Sequence, residues 1–248
     1  MGLQELSIGM PPPALKLSGT ALFLDLDGTL AQIAARPQDV VPDPRRTSLL
    51  ERLAIALDGR LAVISGRALA DVDRILEGRV AAVAAVHGLV RRDADGRIHA
   101  AAVHPGLLMA RSGFERFAAR DAGLIVEDKG PSVALHFRQA PALAQAAGVL
   151  AGELAAATGL MRQDGHMVVE LRTPGPDKGD ALAAFLKSAP FAGAQPVFVG
   201  DDQTDEDGFV GAEVAGGFGV LVGPERRSHA RWRLDDVDAA LAWLEASL

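Results

Sequence analysis

The chain has 248 residues, 49% of them hydrophobic and 23% charged, the profile of a globular protein long enough for one large or two modest domains with real cores. A formal net charge of −7 argues against nonspecific nucleic-acid binding, so any anionic substrate must be met by local basic side chains. The absence of cysteine excludes disulfides and thiolate chemistry.

Taken in chain order, the opening stretch MGLQELSIGMPPPALKLSG lacks a basic region followed by an apolar one, so no signal peptide is expected. It reads as a flexible leader over residues 1–18, ended by the Pro11–Pro13 run. Nowhere do about 18 apolar residues run together, so no membrane span is expected and the protein reads as soluble and cytoplasmic. Residues 21–24 form an unbroken apolar run, a buried parallel strand. A helix is predicted over 44–57, with Pro44 in its first turn, then a strand over 61–65 and a helix over 67–76. A third strand, 80–88, leads to a hairpin over 89–100 turning at Asp95-Gly96.

From about Pro105 the texture changes. A helix over 107–120 precedes two strands joined by a Lys129-Gly130-Pro131 turn, then an alanine-rich helix over 141–158 and a strand over 165–173. This αββαβ block, 105–175, is predicted to be a separate cap domain inserted into a core made of 19–104 and 176–248. Residues 174–180 read as a linker, 196–202 as an apolar strand ending in two aspartates, and 216–223 as the last core strand. The fold class is therefore α/β, a doubly wound parallel-sheet core with a smaller inserted α/β cap.

In such sheets the ligand crevice lies beyond the carboxyl ends of the strands. Asp25 and Asp27, Ser65, and Asp201 and Asp202 all fall at that edge. Carboxylates this close repel and cost desolvation unless a cation sits beside them. Mg²⁺ suits the pattern: one or two carboxylates plus a substrate phosphate complete its oxygen shell, with Asp25 and Asp201 as side-chain ligands and the Asp27 carbonyl as a third. Asp25, first on its strand end, has the position of a nucleophile forming an aspartyl-phosphate. Asp27, two residues on and pointing the same way in an extended chain, has that of general acid and then base. Ser65 in ISGR is placed to donate to a phosphoryl oxygen, and Lys178 in PDKGD to supply a cation.

DLDGTL, ISGR, DKG and GDDQTDED, in this order, resemble the four motifs of haloacid-dehalogenase-type phosphatases. VHG, VEDKG, ALHFR, VVELR, KGDALAAFL and GDDQTDEDGF further resemble the trehalose-6-phosphate phosphatase family over roughly residues 20–245. The resemblance implies Mg²⁺-dependent hydrolysis of trehalose 6-phosphate through Asp25, with Asp27 as acid/base and Ser65 and Lys178 on the phosphoryl group. It implies Thr29, Arg67, Asp202 and Asp205 in support of the site, and Glu127, Lys129, Arg138, Glu170, His87 and Gly88 as substrate-binding residues. Where the family usually carries an acidic residue after HGA, this chain has Val90. The expected partner is a small-molecule sugar phosphate; a transient association with a trehalose-phosphate synthase stays open. Two other readings remain: a related cap-bearing phosphatase for another glycosyl phosphate, and a non-catalytic phosphosugar-binding protein, which loss of Asp25 or Asp27 would have favoured.

Overall fold

The first apolar run becomes β1 (Thr20–Leu24), buried at every position. It is followed by α1 (Pro44–Ala56), β2 (Leu61–Ile64), α2 (Leu69–Leu76), β3 (Ala82–Ala85), β4 (Val90–Arg92) and β5 (Ile98–Ala100). The computed structural model describes residues 11–248. It divides into two compact units: the chain up to His99 together with Pro176–Leu248, and Ala100–Gly175.

The second unit contains α3 (Leu107–Ala118), β6 (Ile125–Asp128), β7 (Ser132–His136), α4 (Ala144–Thr158), β8 (Met161–Gly165) and β9 (Val168–Arg172). The chain then returns to the first unit through α5 (Lys178–Phe185), β10 (Gln195–Gly200), α6 (Glu206–Val214), β11 (Phe218–Val222), β12 (Trp232–Leu234) and α7 (Val237–Ala246).

The first unit is built on an eight-stranded sheet ordered β12-β11-β10-β1-β2-β3-β4-β5. It is parallel from β12 to β3, and β4 runs antiparallel to β3. Strand alternation sends Leu22 and Leu24 into a core shared with Leu49, Leu50 and Leu53 of α1 and Leu241 and Leu244 of α7. Ala21 and Phe23 face the other way, into a core with Leu182 and Phe185 of α5 and Phe209 of α6. Both faces are thus covered by helices, which is why the strands read as continuous apolar runs. No described helix is long and apolar enough to cross a membrane.

In the second unit the sheet order is β6-β7-β9-β8, all antiparallel. Val133, Leu135, Val169 and Leu171 face the α3 and α4 side chains Phe114, Phe117, Ala147 and Ala151 in one core.

Several expectations need correction. The second unit is αββαββ, because Met161–Gly165 forms a strand despite its polar sequence. β11 is not the last core strand; β12 follows at the edge. The predicted linker 174–180 ends early, since α5 begins at Lys178 under an Asp177 cap. The third strand stops at Ala85, and Val86 and His87 both adopt left-handed backbone, φ 48° and 58°. Residues 1–10 of the expected leader lie outside the described residues. The remainder is packed rather than loose: Leu15 is buried, the Trp243 indole donates to the Pro13 carbonyl, and the Leu15 N–H donates to Ser247.

Candidate active site

β1 lies between β2 and β10. The chain steps outward from β1 to β2 and β3, then later from β10 to β11 and β12 on the opposite side. The β1/β10 boundary is therefore the point where the winding reverses, and it opens a crevice at the strand carboxyl ends. Asp25 leaves β1 there, its N–H donating to the Val199 carbonyl of β10 at 2.9 Å. Asp201 leaves β10 at the same level. Gly28, at φ 82°, packs against the Asp201 carboxylate, in a backbone conformation that favours glycine and with no ready space for a Cβ. Thr29 Oγ1 donates to Asp201 Oδ1 at 3.5 Å.

Lys178, the first residue of α5, is 3% exposed. A cation at a helix N-terminus is disfavoured by the helix dipole, and a buried one is disfavoured again by desolvation. Two carboxylates offset both costs: Lys178 Nζ donates to Asp25 Oδ1 at 2.8 Å and to Asp205 Oδ1 at 2.6 Å. Burial alone would lower the Lys178 pKa, but Asp205 and Asp25 outweigh it and raise it, so the ammonium stays charged. The second oxygen of Asp205 accepts from the Asp201 and Asp202 N–H groups at 3.0 and 2.9 Å.

One ammonium does not balance this cluster. Burial raises the Asp25 pKa well above the usual carboxylate range, with Lys178 opposing and Asp205 and Asp201 adding to the rise. Asp201 is pushed up to about 8, by burial first and then by Asp205. Oxygens of Asp25, Asp201 and Asp205 lie within 4.8 Å of one another. An all-carboxylate donor set with surplus negative charge fits a hard divalent cation such as Mg²⁺. Both Asp205 oxygens already serve Lys178 and the loop amides, which leaves Asp25 and Asp201 as the carboxylates with capacity for such an ion.

Asp27 lies near enough to add to the rise of Asp201 but is not one of the three residues whose oxygens gather. The chain turns from Leu26 onward, with the Leu30 and Ala31 N–H groups both donating to the Leu26 carbonyl. The Asp27 carboxylate instead accepts a two-pronged pair from Arg67, Nε at 2.6 Å and Nη2 at 2.7 Å. Arg67 is anchored in turn on the Pro37 carbonyl. Ser65 is 1% exposed; its Oγ accepts from the Arg67 N–H at 3.2 Å and keeps its own proton to donate. The Val86 and His87 N–H groups donate to the Arg67 and Ser65 carbonyls, and the His87 ring fills the space where a Cβ on Gly66 would stand. His87 thereby shapes the ISGR loop, and Gly88, at φ 105°, lies against the Asp177 carbonyl. Asp202 caps the turn at Gln203–Asp205, accepting from the Gln203 N–H.

In the second unit, register aligns Glu127, Ala134, Glu170 and Gln163 across the four strands. Lys129 Nζ donates to Glu170 Oε2 at 2.6 Å and lies 4.0 Å from Glu127 Oε2; His136 Nε2 lies 2.7 Å from the same Glu127 oxygen. Burial would raise Glu127, but His136 and Lys129 together outweigh it and hold its pKa low. The Arg138 guanidinium donates to the His166 carbonyl at the β8–β9 turn. His136 was missed as a member, although alternation along β7 gives it the same face as Ala134.

A further residue without any periodic signal is Arg226, in the loop between β11 and β12. It pairs with Glu206 and donates to the Asp201 and Asp202 carbonyls.

The trehalose-phosphatase family model matches residues 23–238. The chain is 41% identical to the trehalose-6-phosphate phosphatase of Escherichia coli over 91% of its length and 85% of that protein's. It is 39% identical to a probable trehalose-phosphate phosphatase of Sinorhizobium fredii over 84% of its length and 79% of that protein's. Its fold matches the C-terminal domain of a C. albicans trehalose-6-phosphate phosphatase at a TM-score of 0.82 and 21% identity, covering 97% of this chain and 99% of that one. With the motif residues assembled at the winding reversal and a family match spanning both units, the chain belongs to the trehalose-phosphatase family of phosphatases.

Proposed function

We propose that this chain hydrolyses trehalose 6-phosphate to trehalose and phosphate through an aspartyl-phosphate on Asp25, with Mg²⁺ as its metal. The observation that carries the reading is Lys178 bridging Asp25 and Asp205 beside Asp201, a buried anionic cluster with one fixed cation and room for another.

An Asp25 carboxylate oxygen attacks phosphorus, and the bond from phosphorus to the sugar oxygen breaks. That oxygen keeps the electron pair and takes a proton from Asp27. Water then attacks the phosphorus and gives a proton back to Asp27. The bond from phosphorus to Asp25 breaks, phosphate leaves and the carboxylate is restored. Because both Asp27 oxygens accept from Arg67 in this conformation, the acid/base role requires the side chain to leave that pair first. Ser65 and Lys178 hold the phosphoryl oxygens through a donated hydrogen bond and a positive charge.

Asp25, Asp201 and the Asp27 carbonyl would hold the Mg²⁺. When bound it supplies the charge neutralisation that lets an anionic phosphate approach an anionic nucleophile. Glu127, Lys129 and Glu170 are assigned to the sugar hydroxyls, because buried polar groups aimed at hydroxyls reject substrates that leave them unpaired. Arg138 is assigned to holding the β8–β9 turn.

Phosphate release is to be measured over trehalose 6-phosphate, sucrose 6-phosphate and glucose 6-phosphate, in Mg²⁺ and in EDTA. We expect preference for trehalose 6-phosphate, abolition by EDTA and restoration by Mg²⁺. Full turnover in metal-free buffer overturns the metal assignment, and preference for either other sugar phosphate overturns the substrate.

A further inference from the structure

We infer that Arg226 is a positioning residue that braces the acidic loop after β10 for its cation. The inference rests on the assignment of Asp201 to the metal.

The loop carries Asp201, Asp202 and Asp205 within five residues, and its carboxylates repel one another. Two grips hold it. From one side, Asp205 Oδ2 accepts the N–H groups of Asp201 and Asp202. From the other, Arg226 Nη2 donates to the Asp201 carbonyl at 3.3 Å and the Asp202 carbonyl at 2.8 Å. The peptide unit joining Asp201 to Asp202 is therefore held at both ends, its N–H by a carboxylate and its C=O by a guanidinium. Rotation of that plane would swing the Asp201 side chain, so fixing it fixes a metal ligand.

Arg226 is itself held. Its Nη1 pairs with Glu206 and donates to the Arg227 carbonyl at 3.2 Å, while the other Glu206 oxygen accepts the His229 N–H at 2.7 Å. The loop after β11 is thus tied to the loop after β10 through one planar fork. A lysine cannot copy this, because a single ammonium does not span two adjacent carbonyls and a carboxylate with the same geometry. Residues behind a metal's direct ligands typically govern affinity by about 10- to 100-fold.

The test uses the metal-free protein and Mg²⁺ alone. In Arg226→Ala, hydrogen exchange over residues 200–206 should quicken before any metal is added. The Mg²⁺ dissociation constant, read by calorimetry, should rise by about 10- to 100-fold. Arg226→Lys should lie nearer to Arg226→Ala than to wild type. Arg227→Ala, an equal loss of charge at the exposed neighbour, should match wild type in both readouts. Wild-type exchange over 200–206 in Arg226→Ala overturns the inference, as does an unchanged Mg²⁺ constant or faster exchange spread equally over α6 and β11. Should Arg226→Ala fail to fold, Arg226→Lys against Arg227→Ala decides alone. Should wild type itself bind no Mg²⁺, the metal assignment above fails, and the exchange measurement still decides whether Arg226 braces the loop.

Discussion

Each unit of this protein carries an acidic cluster around a buried lysine, and the two differ in their balance. At the β1/β10 crevice, Asp25, Asp201 and Asp205 share Lys178. In the second unit, Glu127 and Glu170 share Lys129 and the ring of His136. The first set has more carboxylates than its cation can neutralise, and Asp25 and Asp201 have raised pKa values. In the second, the His136 ring and Lys129 face Glu127, which has a lowered one. What separates them is the net effect on the carboxylates: burial and like charge win in the first, and the basic partners win in the second. The first cluster leaves its carboxylates with capacity for a further cation, whereas in the second the basic side chains already answer Glu127 and Glu170.

The largest effect should come from removing the cation of the overloaded cluster. Lys178→Met leaves Asp25 and Asp205 buried without it, and breaking a buried pair from one side costs about 3–5 kcal/mol. Denaturant midpoints in EDTA should fall accordingly, and Mg²⁺ should recover part of the loss. Wild-type stability of Lys178→Met in EDTA would show that the cluster is not overloaded.

A smaller effect is expected in the second unit. Glu170→Ala should weaken transition-state stabilisation for trehalose 6-phosphate by about 1.5–3 kcal/mol, the range for a hydrogen bond to a charged group. The loss should be smaller for an aryl phosphate, which has no sugar to hold, so the ratio of the two kcat/KM values is the readout. Equal losses would assign Glu170 to the fold.

The smallest effect concerns pH. A carboxyl held below its ordinary value adds stability that is present above that value, and loses it as pH falls through the lowered one. Glu127, ordinarily near 4.5 and lowered here, faces His136 on β7, Lys129 beyond β6 and Glu170 on β9. Glu127→Gln should therefore flatten the acid limb of the stability profile below that value while leaving its alkaline limb unaltered. An unchanged acid limb would mean that His136 and Lys129 do not hold Glu127 down after all.

Much of this was legible from residue order because the chemistry sits where apolar runs stop. β1, β2 and β10 are buried on both faces, so their ends at Asp25, Ser65 and Asp201 stand out. What escaped depended on partners distant in sequence. β8 is a polar strand whose only signal is its pairing with β9. The turn of Asp27 onto Arg67 depends on a loop that brings together residues 40 positions apart. Pro13 is fixed by Trp243, 230 positions away, so the segment before β1 reads as loose from its own composition. Arg226 lies in a loop without periodicity, and its role appears only once the carbonyls of Asp201 and Asp202 are placed.

The register of β1 has a consequence for how the protein is made. Thr20–Leu24 pairs with Gln195–Val199, so the strand that delivers Asp25 waits for its neighbour until most of the chain has been synthesised. Until then β1 is an edge strand, apolar on both faces, and exposed edges of that kind recruit other chains. Lys178, the buried cation that Asp25 pairs with, lies 153 residues further along the chain and arrives late as well. Pairing with β10 therefore both covers that edge and brings Asp201 beside Asp25.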